Sequence, residues 1–307
     1  MRLGTMIISE EWPDKTINAV IEFAKGKEAQ GFDNLWMANI FGLDAINALG
    51  VVGHATESIG LGTAVVPSYP RHPVAMAQQA LTTAAASNNR FTLGIGLSHK
   101  LVIEDMLGMS YDKPARHMRE YLEILMPLLR GEAVDYQGEQ YRSACAIEVA
   151  GTRPVPVVVA ALGPVMLKLA GQMADGTTTW MTGPGTLESH IIPGISKAAN
   201  DAGKASPTIV AGLPIALCSD VAAARAKLDE SLVIYGQLPS YRAMLDREGA
   251  AGPGDIAMVG NEAELRQQIL RLRDMGVTDF NAAMLEVEPG AVERTAAFLA
   301  ALKPELQ

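Results

Sequence analysis

Residues 59–97 read IGLGTAVVPSYPRHPVAMAQQALTTAAASNNRFTLGIGL. The first eight residues, Ile59–Val66, are an apolar run that ends at the turn-forming Pro67. A helix then opens at Pro73, where proline is tolerated because the first helical N–H has no partner in any case. Val74, Ala77, Ala80, Leu81 and Ala84 share one face of it. A second apolar run, Phe91–Leu97, follows. Strand, helix and strand, with both strands apolar on both faces, make a parallel βαβ unit.

The same alternation extends in both directions. Upstream lie Leu3–Ile8 and Asn34–Ala38; downstream lie Val155–Leu162, Thr177–Met181, Thr208–Leu217 and Asp279–Leu285. Between them, Thr16–Gln30 carries Ile17, Val20, Ile21 and Ala24 on one face, with Gly31 placed to end it. Pro114 and Pro164 mark further helix starts, and Arg116–Arg130 turns Leu122, Leu125 and Leu129 inward before Gly131. Asn261 with Glu264 forms a variant capping box, and Gly276 closes that helix. Eight β runs in βα alternation predict an α/β fold, a (β/α)8 TIM barrel. A doubly wound sheet usually has fewer strands and a glycine loop after the first; here the first run leads into Ser9-Glu10-Glu11-Trp12. Two intervals are overlong. Gly131–Pro154, after strand 4, has hairpin-like composition. Ser219–Met258, after strand 7, has helical patterns at Val221–Ile234 and Pro239–Arg247. Both are read as insertions in one barrel domain covering residues 1–307.

Composition narrows the function. With 49% apolar and 19% charged residues, 307 residues sustain a large core. A net charge of −9 argues against a broad nucleic-acid surface. Cys145 and Cys218 are too few for a disulfide scaffold or a four-cysteine metal site and suit a reducing cytosol. No signal peptide is visible, and no run approaches the roughly 18 apolar residues of a membrane span. The expectation is a cytoplasmic protein that engages neither membrane nor nucleic acid.

In such a barrel, chemistry gathers where the strands' C-terminal ends and following loops converge. Those segments are Ser9–Trp12, Ala38–Phe41, Pro67–His72, Ser98–Lys100, Ala161–Pro164, Met181–Gly185, Ser219 and Glu286–Glu288. The five histidines form no metal-binding pattern, so no metal is expected. Lys100 is a poor Schiff-base candidate, and the tips offer mainly Asn39, His99 and Trp180 rather than paired glycosidase carboxylates. A site so poor in charge suits a large, flat, partly apolar cofactor. Leu162-Gly163-Pro164 joins a strand to a helix N-terminus, where free N–H groups favour a phosphate; the same dipeptide also serves as a plain turn.

The stretch Gly62–His99, with GFDNLWMAN (Gly31–Asn39), VVVAALGP (Val157–Pro164) and RLRDMGVTDF (Arg271–Phe280), resembles the bacterial luciferase-like monooxygenase superfamily, most closely its F420-dependent branch. The likeness covers nearly the whole chain. It implies a luciferase-like barrel holding one flavin-type cofactor per subunit, usually as a homodimer, and acting on a small-molecule substrate. Carried over by position, Ala64-Val65 matches a cis peptide behind the ring, and Asn39 a polar position near its reactive edge. Gly96, Leu97, Ser98 and His99 match the loop beside the ring. Ala160, Ala161, Leu162 and Gly163 match the phosphate and ribityl site, and Trp180, Met181 and Thr182 its next wall. Members that oxidise sugar phosphates have Asp-His where this chain has Asn39-Ile40, and glutamate in place of His99. The resemblance therefore favours hydride transfer from the deazaflavin C5 to an activated double bond, quinone or nitro group, with His99 and Asn39 as catalytic candidates and His99 as the proton source. Alternatives are an FMN-dependent monooxygenase using reduced flavin and O2, and a non-catalytic cofactor-binding protein.

Other residues have plainer readings. Arg71-His72-Pro73 either binds cofactor anions or fixes its loop with an ion pair. Arg116, His117 and Arg119 either meet the polyglutamate tail of F420 or form a solvated helix face. His54 reads as structural and His190 as a surface residue. Both cysteines read as packed small residues. Met6, Met37 and Met181 are candidates to line the pocket.

Overall fold

The computed structural model describes residues 1–7 and 14–307. Its strands are β1 (Arg2–Ile7), β2 (Asn34–Met37), β3 (Gly60–Thr63), β4 (Val66–Pro67), β5 (Phe91–Gly96), β6 (Val134–Gln137), β7 (Arg142–Cys145), β8 (Val157–Ala160), β9 (Gly176–Trp180), β10 (Thr208–Leu217), β11 (Met258–Gly260) and β12 (Asp279–Met284). Eight of them close a parallel ring in the order β1-β2-β3-β5-β8-β9-β10-β12 and back to β1. The helices are α1 (Ile17–Ala29), α2 (Ala45–Ala55), α3 (Pro73–Ala86), α4 (Pro114–Leu129), α5 (Pro164–Met173), α6 (Pro184–Thr186), α7 (Ile192–Asp201), α8 (Val221–Ser231), α9 (Val233–Gln237), α10 (Pro239–Glu248), α11 (Pro253–Ile256), α12 (Glu262–Asp274) and α13 (Ala291–Leu302). None of the described helices is long and apolar enough to cross a membrane.

Local chemistry sets the boundaries. Thr16 and Asp44 cap α1 and α2 through side-chain oxygens, and Pro73, Pro114 and Pro164 open α3, α4 and α5. The Asn261–Glu264 capping box forms in both directions. Gly31, Gly131 and Gly276 follow their helices at positive φ. The first insertion is the antiparallel hairpin β6–β7. In the second, the helical pattern predicted over Val221–Ile234 is broken at Leu232 into α8 and α9. Strand β11 was not expected. It pairs with Ile215–Leu217 of β10, beyond the Thr208–Gly212 segment that pairs with β9.

Alternation along the strands separates two packing layers. Leu35 and Met37 join the main core between barrel and helices. Trp36 points the other way and packs with Val158, Val210 and Ala64. The indole needs glycine beside it: a Cβ at Gly62 would stand 2.3 Å from the Trp36 ring. At the barrel's other end, buried Asp279 accepts from Asn34 Nδ2 (2.7 Å) and pairs with Arg2 Nε (2.8 Å), tying β12, β2 and β1 together. The Trp36 layer and the Asp279 pairings thus close the barrel interior toward its N-terminal end.

Candidate functional site at the barrel mouth

The third barrel strand ends at Thr63, whose hydroxyl accepts from Gly94 N and donates to Gly94 O, each at 2.8 Å. The Ala64–Val65 peptide is cis, and the chain resumes as β4, with Ser68 N donating to Gly96 O at 2.9 Å. This brings Val65, Gly96 and Ala160 together. A Cβ on Gly96 would stand 2.7 Å from Val65 Cγ2 and 3.1 Å from Ala160 Cβ. Ala64, Val65 and Ala160 stay half-buried, a surface of small side chains at the mouth.

The neighbouring tips carry the polar groups. Asn39 is half-buried, and its Oδ1 accepts from Ala45 N at 3.0 Å, fixing the side chain to the start of α2. Ser98 has φ +61°, and its carbonyl accepts from the Tyr111 hydroxyl at 3.2 Å. The His99 carbonyl accepts from Val102 N (2.9 Å) and Ile103 N (3.0 Å), which starts a wide π-type turn at Leu101–Met106. Lys100 points outward and pairs with Glu104. Burial pushes His99 below its ordinary pKa, so its imidazole is neutral at pH 7.

On the opposite arc, Gly163 is exposed at the N-terminus of α5, with no side chain capping the helix. No atom of a residue beyond its chain neighbours lies within 4 Å of where its Cβ would stand, so a ligand can approach the backbone closely. His190, read from sequence as a surface residue, instead sits half-buried with Nε2 2.8 Å from the Leu162 carbonyl. Thr182 is buried, and its hydroxyl donates to the Trp180 carbonyl at 3.3 Å.

Residues 1–297 match the luciferase-like monooxygenase family. The chain belongs to that family. It is 27% identical over 304 residues to 5,10-methylenetetrahydromethanopterin reductase of Methanolobus tindarius, covering 88% of this chain and 91% of that one. It is 30% identical over 219 residues to F420-dependent glucose-6-phosphate dehydrogenase of Microbacterium testaceum, covering 66% and 64%. Among solved structures, coenzyme F420-dependent tetrahydromethanopterin reductase from Methanopyrus kandleri superposes with a TM-score of 0.81 at 21% identity, covering 100% of this chain and 99% of that one. The fold is a luciferase-like TIM barrel, and F420-dependent oxidoreductases are among the relatives, with a monooxygenase solved in complex with FMN also among the similar structures.

This luciferase-like chain also has mouth residues that sequence reasoning missed. Trp180 makes an edge contact with Tyr235 (centroids 5.9 Å apart), Tyr235 with Tyr241 (5.6 Å), and Tyr241 lies 5.4 Å from His99. Helices α9 and α10 of the second insertion thereby reach from the tip of β9 to the tip of β5. Burial raises the Tyr241 phenol well above its ordinary pKa, so it stays protonated. Glu248, at the end of α10, anchors the same insertion by accepting from Gly185 N (2.9 Å) and Thr186 N (2.6 Å). Two tyrosines inside an insertion were the one available signal.

Several expected residues are placed elsewhere. Met181 and Ala161 are fully buried in the main core, so their side chains do not line the mouth; only their backbone is left to contribute a wall. Met37 is likewise a core residue, whereas Met6 points into the barrel toward Gly212. Arg71 makes the loop-fixing ion pair, with Asp44, whereas His72 instead caps α3, accepting from Val74 N. His117 is not on a solvated face: it is 2% exposed, stacks on Tyr69 at 3.7 Å and bonds Ser68 Oγ at 2.8 Å. Arg116 of the same triplet pairs with Glu139. His54 is exposed, as a residue outside the site. Glu286 accepts from Gly290 N and Val292 N, and Glu288 holds Ser219, so both act as local caps. Ser9–Trp12 lies outside the described residues.

Proposed function

We propose that this chain is an F420-dependent oxidoreductase that reduces an activated double bond, quinone or nitro group of a largely apolar acceptor. The observation carrying this reading is the close approach of Val65, Gly96 and Ala160 at adjacent strand ends, with His99 and an aromatic file at the neighbouring tips. Small side chains on three adjacent strands leave room for a flat ring, and the exposed Gly163 at the start of α5 suits a phosphate. The residues present therefore fit a deazaflavin. Ala64 and Val65 would back its ring, and Asn39 with Gly96, Leu97, Ser98 and His99 would border it. Ala160–Gly163 and Trp180–Thr182 would hold the ribityl phosphate, Ala161 and Met181 through backbone alone.

When bound, the deazaflavin supplies a hydride from C5. The acceptor takes that hydride, two electrons and one proton, at one atom, and a second proton at the other. His99 would relay the second proton rather than carry it as an imidazolium, its N–H proton passing to the acceptor as the other ring nitrogen takes one from solvent. Neutral at pH 7, it also polarises the acceptor by hydrogen bonding. Asn39, with its carbonyl oxygen committed to Ala45 N, presents its amide N–H2 as a donor. Trp180, Tyr235 and Tyr241 exclude water and offer flat faces. Alcohol oxidation is disfavoured because Glu286 and Glu288 are engaged as caps and His99 has no carboxylate partner among the described residues.

Titration of the purified protein with F420 and with FMN tests the reading. Saturable F420 binding with weak or absent FMN binding is expected, followed by oxidation of reduced F420 when quinones, nitroarenes or enones are added. Tight FMN binding without F420 binding would overturn it.

A further inference from the structure

Helices α5 and α7 lie side by side and run in the same direction. Leu167 of α5 meets Gly194 of α7, and one turn further on Gly171 meets Ile195, Ala198 and Ala199. A Cβ at Gly171 would stand 2.6 Å from the Ile195 carbonyl oxygen and 2.8 Å from Ala198 Cβ. With α7 held that closely, the segment leading into it passes beside the start of α5. It does so as a wide π-type turn, Leu187–Ile191. Leu187 and Ile191 are fully buried at its two ends, Glu188 pairs with Arg271 at 2.8 Å, and Ser189 Oγ donates to the Gly185 carbonyl at 2.7 Å. Between these anchors His190 reaches α5, its Nε2 2.8 Å from the Leu162 carbonyl oxygen. A carbonyl only accepts, so Nε2 carries a proton.

The Leu162–Gly163 peptide is trans, so its carbonyl and its N–H point in opposite directions. Holding the Leu162 oxygen toward His190 therefore turns the Gly163 N–H away from it. Gly163 is exposed, and this N–H has no acceptor among the described residues. The N–H groups of Val165 and Met166, in the uncapped first turn of α5, are free of helical partners as well. We propose that His190 is a positioning residue for the cofactor phosphate: it holds the Leu162–Gly163 peptide in the orientation that adds the Gly163 N–H to the donors of α5. This rests on the phosphate reading of Gly163. It requires no charge on the imidazole, because the ring acts through the peptide it holds.

Two pairs of ligands isolate the phosphate: F420 against the ribityl deazaflavin that lacks the phosphate and everything beyond it, and FMN against riboflavin. The wild-type protein should prefer the phosphorylated member of the pair it binds. His190→Phe keeps a ring in place and removes the donor. It should weaken binding of the phosphorylated ligand about tenfold and leave the phosphate-free one unchanged. His190→Gln, whose amide reaches about as far as Nε2 and carries no charge, should restore the preference. Should His190→Phe fail to fold, His190→Asn, too short to reach the carbonyl, makes the same comparison. An unchanged preference in the phenylalanine or asparagine variant would overturn the proposal. So would equal weakening of both members of a pair, failure of His190→Gln to restore the preference, or a wild-type protein with no preference for the phosphorylated ligand. A preference seen only between FMN and riboflavin, and lost in His190→Phe, would uphold the role of His190 while sinking the F420 reading, so the two are judged separately.

Discussion

Replacing Gly163 by valine separates ligand binding from folding at one position. The residue has φ −85° and ψ 158°, extended backbone that a β-branched side chain adopts readily. No atom of a residue beyond its chain neighbours lies within 4 Å of the Cβ position, so the branch point of a valine has open space. Loss of glycine's freedom in the unfolded chain favours the native state by roughly 0.4–1 kcal/mol, but valine is a poorer N-cap than glycine by a similar amount, so the net change in stability should stay within about 1 kcal/mol. For a protein of this size that amounts to no more than about 3 °C in Tm. The space the side chain fills is where the phosphate would approach the first N–H groups of α5. Losing one charged hydrogen bond there costs about 1.5–3 kcal/mol, or roughly ten- to a hundredfold in F420 affinity. Thermal unfolding and F420 titration measure the two quantities on one sample. Gly96→Ala supplies the contrast. Its Cβ would press Val65 at 2.7 Å and Ala160 at 3.1 Å, so stability and binding should fall together, with about 1–3 kcal/mol lost from the fold. A Gly163→Val protein that unfolds several degrees early, or binds F420 as wild type does, would refute the phosphate assignment.

Asp44 both caps α2, accepting from Asn47 N at 3.0 Å, and pairs with Arg71. Asp44→Ala should lower stability by about 1–2 kcal/mol and Asp44→Asn by less, as read from denaturant midpoints, because asparagine keeps the cap. Acidification should destabilise the protein in two overlapping windows. Burial holds His117 neutral with its pKa lowered to about 4, whereas unfolded histidine titrates near 6.5. Between those values the unfolded chain binds the extra proton, so stability falls as pH drops from 6.5 to 4, and His117→Gln should flatten that slope. Burial acts to raise the Glu28 carboxyl, but hydrogen bonds from Ser58, Ile59 and Glu57 outweigh it and leave the pKa below 4.5. Its contribution is complete above about pH 4.5 and is lost as pH falls further, and Glu28→Gln should remove that lower window. Tyr241→Ala should reduce kcat/KM for aromatic acceptors severalfold in steady-state assays, whereas Tyr241→Phe, which keeps the ring, should stay near wild type.

The barrel was readable because its strands are covered on both sides. Val157-Val158-Val159 and the Ile209–Ile215 segment are apolar at consecutive positions, which parallel strands require and amphipathic helices do not. Helix starts were readable because proline and the Asn261–Glu264 box act through neighbours in sequence. What sequence concealed depends on distant partners. Strand β11 is three residues long and exists because β10 outruns β9. His117 lies between Arg116 and Met118 in a segment that looks solvated at one end, and its burial is set by Tyr69 and Ser68, about fifty positions upstream. Met37 ends β2 and Met181 directly follows β9, but their side chains project into the helix-side core. Tyr235 and Tyr241 become mouth residues only when the second insertion folds across β9.

The two halves of the site have different physical origins. The surface at Val65, Gly96 and Ala160 is made by what the strands lack: glycine and alanine let adjacent backbones and the Val65 side chain come close, and nothing larger fits between them. Trp36 stiffens that surface from within the barrel, packing against Ala64 and confined by Gly62. Change there is felt by the whole ring, because every strand shares hydrogen bonds with two neighbours. The facing wall is made by what an insertion adds. Its tyrosines stand on short helices that join the barrel through the Leu232, Met244 and Leu245 packing and the Glu248 anchor, so they can be exchanged without altering strand register. A rigid floor of small residues suits a ligand that must be held in one pose, and a replaceable aromatic wall suits a partner that differs from one enzyme to the next. His99 belongs to both, its backbone starting the turn after β5 and its ring against Tyr241, which puts the candidate proton donor where the two halves meet.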